Sequence, residues 1–266
     1  GPFHALAVAM AGSAAYVADQ NAGLHLVSVA DPTAPAITST LRLGEGARGL
    51  ALTGPLVFVA AWSSGLRVAR AAEGGTLVEV AAFDAASYGY AVSAREGVIY
   101  LLDPGRGVHV ISVADPAAPS ELALFPADGA LCLDRSNAQL FVGVDSTLVV
   151  IDATAPSVPT EVARLDLSGR VRGLCVVGDY VVAAVDSAGI DIVSVADPSA
   201  PTLVGSLALS GYAYGVDVWE GIAYVAAWSG GLRIVALDDP AHPLEIGALE
   251  TSGAARSVAL AESVAY

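Results

Sequence analysis

Residues 189–201 read GIDIVSVADPSAP, and this stretch decides the fold because the chain repeats it. Five further copies begin at residues 23, 65, 107, 147 and 231, with the sequences GLHLVSVADPTAP, GLRVARAAEGGTL, GVHVISVADPAAP, TLVVIDATAPSVP and GLRIVALDDPAHP. The six starts are 42, 42, 40, 42 and 42 residues apart. Self-similarity at one such period is the sequence signature of a repeat architecture.

Each unit contains four short runs of strand-forming residues separated by turn residues. In the second unit the runs are RGLALT, LVFVAAW, GLRVARA and LVEVAAF. Turns recur at Asp31-Pro32, Asp115-Pro116, Asp197-Pro198 and Asp239-Pro240, where Pro restricts φ and Asp bonds the local backbone. About 42 residues and four strands per unit are typical of a β-propeller blade. We therefore predict an all-β fold in which residues 1–266 form a single β-propeller domain of four-stranded antiparallel blades.

The chain resembles the LVIVD-repeat family of bacterial and archaeal propellers. The motif is present as LVVID, HVISV and DIVSV, and the resemblance covers nearly the whole chain. It implies an exported or surface-displayed binding module, so the expected location is extracellular or at the cell surface. It transfers no catalytic residue to this chain, because the family motif is structural.

The number of blades depends on the two ends of the chain. The second strand of each unit has a marker residue, at Tyr16, Phe58, Tyr100, Phe141, Val182, Tyr224 and Tyr266. Residues 1–16 and 251–266 are therefore equivalent strand pairs, and the chain holds six full units plus one surplus pair. We predict six blades; a truncated seven-bladed propeller and strands exchanged between molecules are the alternatives. Because an unpaired strand edge invites pairing, a strand-exchange oligomer through the surplus strands is one expected partner state.

Composition excludes several classes of function. The net charge is −15 and the chain has 27 acidic residues against 12 basic ones, which argues against nucleic-acid binding. No apolar run reaches the length of a membrane-spanning helix, so membrane insertion is not expected. The N-terminus lacks a basic segment followed by an apolar one, so no export signal is recognised in this sequence. The absence of lysine beside abundant Ala, Gly and Arg fits a GC-rich bacterial genome.

Positions that differ between the repeats are the candidates for ligand binding. The position before the innermost strand is occupied by Leu6, Arg48, Tyr90, Gly129, Arg172, Tyr214 and Arg256. Alternating Arg and Tyr suit an anion, a sugar or a peptide end, because guanidinium offers a fork of donors and phenol a stacking face. The loop after the second strand places Trp62 and Trp228 at one repeat position, shared with Gln20, Pro104 and Asp186.

In a propeller these two places lie on the same face. The predicted ligand-binding residues are therefore Arg48, Tyr90, Arg172, Tyr214, Arg256, Trp62 and Trp228. The alternative is that the Arg and Tyr side chains tie neighbouring blades together and each Trp caps the apolar edge of its own blade.

Asp217 is the candidate catalytic residue. It lies midway along an innermost strand, where the other units have Ala9, Ala51, Ser93, Cys132, Cys175 and Ala259. A carboxylate in such a slot must be hydrogen-bonded or hydrated. With Tyr214 and Arg172 nearby it is a candidate general base; the alternative is a structural Asp that joins two blades.

The remaining chemistry-bearing residues lack the spacing of a metal or cofactor site, and neither is predicted. Asp19, Asp103 and Asp145 are interpreted as turn residues, since no run resembles a calcium-binding loop. The repeat-equivalent His25 and His109 are placed on a partly solvated rim. Cys132 and Cys175 are assigned to equivalent positions of neighbouring blades and are predicted to be free buried thiols.

These observations favour a non-enzymatic module that binds a protein, peptide or glycan at one face of the propeller. One alternative is an enzyme with its active site around Asp217, Tyr214 and Arg172. The other is a purely structural repeat domain of a larger adhesin.

Overall fold

The structure, a computed structural model, describes residues 4–31, 33–84, 88–95, 97–261 and 264–265. Within these residues six four-stranded antiparallel sheets form and no helix occurs. The chain is therefore an all-β protein with the six blades of a β-propeller, which confirms the predicted fold class and the favoured number of blades. Pro32 of the first Asp-Pro turn and the marker Tyr266 lie outside the described residues. No helix in the described part of the chain is long and apolar enough to cross a membrane.

The chain divides into two compact units, Gly1–Asp128 and Gly129–Tyr266, with three blades in each. The first unit contains blade 1 with β1 (Ala5–Ala11), β2 (Ala14–Asp19), β3 (Gly23–Ser28) and β4 (Ala36–Leu41); blade 2 with β5 (Gly49–Thr53), β6 (Leu56–Ala60), β7 (Leu66–Ala71) and β8 (Leu77–Phe83); and blade 3 with β9 (Ala91–Arg95), β10 (Val98–Asp103), β11 (Gly107–Ser112) and β12 (Ser120–Pro126). Each blade is a meander in which consecutive strands pair.

The second unit repeats this order. It contains blade 4 with β13 (Ala130–Ser136), β14 (Gln139–Val144), β15 (Thr147–Asp152) and β16 (Thr160–Asp166); blade 5 with β17 (Gly173–Val177), β18 (Tyr180–Ala184), β19 (Ile190–Ser194) and β20 (Thr202–Leu207); and blade 6 with β21 (Gly215–Trp219), β22 (Ile222–Ala226), β23 (Leu232–Ala236) and β24 (Leu244–Leu249). The prediction that residues 1–266 form a single domain stays a prediction.

The surplus residues at the C-terminus form a short strand pair. Strand β25 (Leu260–Ala261) pairs antiparallel with β26 (Val264–Ala265), and Leu260 lies opposite Ala265. The backbone N–H of Leu260 also donates to the carboxylate of Asp217 on β21, so this pair lies beside the innermost strand of blade 6. Its equivalence to the N-terminal strands and its exchange between molecules stay predictions.

The middle strands of the blades form the core. Strand β11 is buried along almost its whole length, whereas the outermost strand of the same blade, β12, is mostly exposed. Side chains on successive strand positions point to opposite faces, so a strand that is buried throughout must be covered on both faces. This explains why a third strand such as β15 carries a continuous apolar run, LVVI, rather than an alternating pattern.

The Asp-Pro turns join the third strand of a blade to the fourth. In all four of them the Asp side chain accepts the backbone N–H two residues further on, at Thr33, Ala117, Ser199 and Ala241. This is the local hydrogen bond expected of Asp at a turn. Blade 2 has lost Asp-Pro and closes the same turn through backbone bonds between Ala72, Gly75 and Thr76.

Candidate functional site

The loop after the second strand of a blade is tied to the segment that leads into the next blade. Trp62 and Gly89 exchange two backbone hydrogen bonds of 3.0 and 2.7 Å, and Trp228 and Ala255 do the same at 2.9 and 3.0 Å. Each bridge brings a loop Trp next to the residue that precedes an innermost strand. The local chain conformation therefore places the predicted Trp and Tyr or Arg positions side by side.

In the first unit these contacts gather one arginine and three aromatic rings. The guanidinium carbon of Arg48 lies 3.6 Å from the ring centre of Tyr90 and 5.1 Å from that of Trp62. Trp62 also packs against Tyr88, with ring centres 5.5 Å apart, and Tyr88 is half exposed. Such distances are those of cation–π and aromatic pairs.

In the second unit the same positions form a longer row, which we call the cation–aromatic row: Arg172, Tyr214, Trp228 and Arg256. The guanidinium carbon of Arg172 lies 5.0 Å from the Tyr214 ring, Tyr214 stacks on Trp228 at 4.9 Å, and Arg256 lies 4.4 Å from Trp228. The two rings are nearly parallel, with an interplanar angle of 29°. The row therefore alternates cation, ring, ring and cation.

The two arginines of the row differ in what holds them. Arg172 is half-buried, and its Nε and Nη2 lie 2.8 and 2.7 Å from Oδ2 of Asp186. Arg256 is exposed, and among the described residues no carboxylate forms an ion pair with it. Arg172 is thus held by a charge-assisted hydrogen-bonded pair, whereas the guanidinium of Arg256 is exposed to solvent.

All seven predicted ligand-binding residues take part in these two clusters. Arg48, Trp62 and Tyr90 meet in the first unit, and Arg172, Tyr214, Trp228 and Arg256 meet in the second. That they bind a ligand stays a prediction. Sequence reasoning missed two contributors, Tyr88 and Asp186, although Asp186 shares the repeat position of both loop tryptophans.

The innermost strands of the second unit carry a separate group, formed by Asp134, Cys175 and Asp217. Strand pairing places Asp134 opposite Phe141, as Cys175 lies opposite Val182 and Asp217 opposite Tyr224. The assignment of Cys132 to the position of Cys175 and Asp217 is therefore wrong; Asp134 takes that place. The cause is an irregularity in β13 between Ala130 and Cys132, which shifts the register.

Asp134 joins blade 4 to blade 5, and Asp217 joins blade 6 to the C-terminal strand pair. Oδ2 of Asp134 accepts the N–H of Val176 at 2.8 Å, and Oδ2 of Asp217 accepts the N–H of Leu260 at 2.9 Å. The other oxygen of each carboxylate accepts the N–H of the following residue, Arg135 or Val218. The Cys175 thiol lies 3.8 Å from Oδ1 of Asp217.

This environment changes the acidity of both carboxyl groups. Burial raises the pKa of Asp134, and the charge of Asp217 raises it further, while the bond from Val176 opposes the change. Burial likewise raises the pKa of Asp217, against the bonds from Leu260 and Val218. These hydrogen bonds engage both oxygens of Asp217, as expected for the structural alternative to a general base.

Cys132 and Cys175 are both free. Burial raises the pKa of each thiol to about 12. At pH 8 the thiolate fraction is then on the order of one in 10,000, against roughly a quarter for an ordinary thiol. We expect the folded protein to resist iodoacetamide at pH 8 and to gain two adducts, seen by mass spectrometry, when unfolded without reductant. Adducts that form equally fast on the folded protein would contradict the raised pKa values.

The two third-strand histidines are buried, which corrects their placement on a partly solvated rim. His25 donates or accepts a bond with Thr40 at 2.8 Å, and His109 contacts Glu121 at 2.6 Å. His109 also lies 3.7 Å from the buried Asp103. The covering of both faces of β3 and β11 leaves the two rings only 5% and 1% exposed. Among the described residues no three His, Cys, Asp or Glu side chains gather as a metal site would require.

Six four-stranded blades built on a shared repeat motif define the class of protein, the β-propeller repeat proteins. The LVIVD repeat model matches residues 4–41, 139–166, 168–208 and 210–251, which is more than half of the chain. The chain belongs to the LVIVD-repeat family. No curated protein matches it.

Solved structures share the fold at low sequence identity. The periplasmic gluconolactonase PpgL of Pseudomonas aeruginosa is 16% identical with a TM-score of 0.80, over 93% of this chain and 86% of that one. The Cps50 (Swd1) β-propeller domain of Myceliophteria thermophila is 12% identical with a TM-score of 0.79, over 97% and 90%. The computationally designed Ika8 protein is 11% identical with a TM-score of 0.75, over 98% and 79%. At these identities the similarity concerns the fold alone.

Proposed function

We propose that this protein is a non-enzymatic binding module that acts outside the cell or at its surface, and that the cation–aromatic row is its ligand site. The observation that carries the proposal is the exposed charge of Arg256 over Trp228, next to the stacked Tyr214 ring. Aromatic and arginine side chains of this kind are the residues that dominate binding surfaces.

The backbone conformation of Trp62 and Trp228 indicates that these two residues do more than form the turn. Trp62 and Trp228 have φ values of 51° and 49°, in the left-handed region that Gly and Asn normally occupy. A bulky side chain there costs free energy, and such strain is typical of functional positions. Because a smaller residue would make the turn more easily, the Trp side chains are better explained by what they contact.

The chemistry of the row favours a ligand with a carboxylate beside a flat apolar surface. The exposed guanidinium of Arg256 supplies forked donors for a carboxylate, and the partly exposed Tyr214 and Trp228 rings supply apolar surface beside it. An acidic sugar and the C-terminus of a peptide both have this chemistry. Both carboxylate oxygens of Asp217 accept backbone N–H groups. This favours a binding role over a catalytic one, because the candidate general base is already engaged in structural hydrogen bonds.

The proposal is tested by removing one ring and the exposed cation together. Tyr214→Ala with Arg256→Ala should weaken the binding of trigalacturonate, or of a peptide with a free acidic C-terminus, by about 30-fold, as for loss of a binding hot spot of about 2 kcal/mol. Calorimetric titration of both probes against both proteins measures the effect and distinguishes sugar from peptide. The Tm should fall by no more than a few degrees, since Arg256 is exposed and Tyr214 is only partly buried.

Tyr212 and Arg170 provide a matched control. Both are exposed, they lie two residues before Tyr214 and Arg172, and neither belongs to the cation–aromatic row. Tyr212→Ala with Arg170→Ala should leave the affinity unchanged. Equal losses in both double variants, or no saturable binding of either probe to the unaltered protein, would overturn the proposal.

A further inference from the structure

One position on the second strand distinguishes blade 5 from the other five blades. The residue opposite the middle of the innermost strand is aromatic in blades 1, 2, 3, 4 and 6, as Tyr16, Phe58, Tyr100, Phe141 and Tyr224. In blade 5 the same strand pairing places Val182 there, opposite Cys175. Blade 5 therefore lacks a ring that the repeat otherwise supplies.

The ring fills the space between one blade and the next. Phe141 of blade 4 is 1% exposed and packs with Val181 and Val193 of blade 5. Phe58 of blade 2 is equally buried and packs with Ile99 of blade 3. Because protein interiors are packed to crystal-like density, removing such a ring without compensation leaves a cavity.

A cavity is present where the ring is missing. It has a volume of about 170 Å³ and lies between blades 5 and 6. Its lining includes Val182, Ile192 and Tyr180 from blade 5 and Val218, Leu237 and Pro240 from blade 6. Val182, Val218 and Leu237 belong to the apolar core between these two blades. The substitution in the repeat thus accounts for the position of the cavity.

The cavity has the size and the chemistry of a site for an apolar ring. An engineered apolar cavity of about 150 Å³ in another protein stays dry and binds benzene. Here the lining consists of Val, Ile, Leu, Pro, Gly and one Tyr, without a charged side chain. Val177 and Gly221, which also line it, are exposed, so the cavity has a route to solvent.

We propose that this cavity binds a small uncharged ligand with a single aromatic ring, whose ring takes the place of the side chain that blade 5 lacks. Desolvation of the ring and its contacts with the aliphatic lining provide the affinity. A charged ring compound is excluded because no lining side chain would compensate its buried charge. This site is separate from the cation–aromatic row and does not depend on it.

The experiment uses toluene as the neutral probe and benzoate as the charged one. Toluene should bind the unaltered protein saturably in an NMR titration, with intermolecular NOEs to the methyl groups of Val182 and Leu237. Benzoate should bind at least tenfold more weakly. Absence of saturable toluene binding, or equal affinity for benzoate, would overturn the proposal.

Filling the cavity provides the second arm. Val182→Phe supplies the missing ring, so it should weaken toluene binding at least tenfold and raise the Tm by a few degrees, as cavity-filling substitutions do. Val158→Phe adds the same ring at an exposed turn of blade 4 and should leave both the affinity and the Tm unchanged. If Val182→Phe binds toluene as the unaltered protein does, the ligand is elsewhere and the assignment fails. If that variant does not fold, the NOEs of the unaltered protein decide the location.

Discussion

Replacing Phe141 with alanine is expected to lower the free energy of unfolding by about 3–5 kcal/mol, the range for deleting a buried aromatic ring. Phe141 is 1% exposed and lies in the core between blades 4 and 5. The loss combines the transfer free energy of the ring with the cavity left behind, because the surrounding strands cannot collapse onto it. Urea titration followed by tryptophan fluorescence or circular dichroism measures the change.

Val162 provides the control for this prediction. It lies on β16, the outermost strand of the same blade, and is 38% exposed. Val162→Ala should change the free energy of unfolding by no more than about 0.5 kcal/mol. If Phe141→Ala costs as little as Val162→Ala, the ring does not join the two blades as described.

Replacing Gly189 with alanine is expected to lower the free energy of unfolding by about 2–5 kcal/mol, from about 1–2 kcal/mol of backbone strain and about 1–3 kcal/mol of overpacking. Gly189 comes directly before β19 and has a φ of 93°. A Cβ there would lie 2.2 Å from the carbonyl oxygen of Leu207 and 2.7 Å from the N of Leu209. Both obstacles are backbone atoms, so they cannot move aside without breaking the pairing of the third and fourth strands.

Gly178 separates the two contributions. Its φ is 56°, and a Cβ there would meet nothing within 4 Å. Gly178→Ala should therefore cost only the strain of about 1–2 kcal/mol. Thermal or urea unfolding of both variants measures the difference in the free energy of unfolding. Equal losses of that free energy would show that the contact with Leu207 contributes nothing to the cost.

The repeat itself explains why one copy dispenses with this glycine. In the fourth copy Thr147 stands at the motif start, and its loop is one residue shorter than those of the other copies. There Val144 pairs directly with Thr147, and Asp145 of the tight turn takes the positive φ of 49°. Trp62, Asp186 and Trp228 have a positive φ at the same turn position. The shorter loop therefore removes only the need for a second left-handed residue, so a β-branched residue is accepted at the strand start.

The two misplaced features of the sequence analysis have physical causes. Cys132 aligns with Cys175 when positions are counted from the start of β13, where an irregular strand pairing shifts the register. Counting back seven residues from the marker Phe141, as in the other units, gives Asp134. The placement of His25 and His109 on a partly solvated rim is wrong, although Arg67, Asp191 and Arg233 share their repeat position. Polar residues on a middle strand are nevertheless buried when both faces are covered and partners such as Thr40 and Glu121 are available.

The sequence by itself determined the fold class, the six blades and the repeat positions whose residues vary. It could do so because period, strand propensity and turn chemistry are local properties that recur in every unit. The single valine among the aromatic markers was equally visible in the sequence. Only the tertiary structure decided that Asp186 holds Arg172, that Tyr214 stacks on Trp228 while Arg256 stays exposed, and that a cavity lies beside Val182. These features depend on how side chains pack, within one blade for Arg172 with Asp186 and for Tyr214 with Trp228, and between two blades for the cavity. Such contacts arise from packing rather than from spacing along the chain.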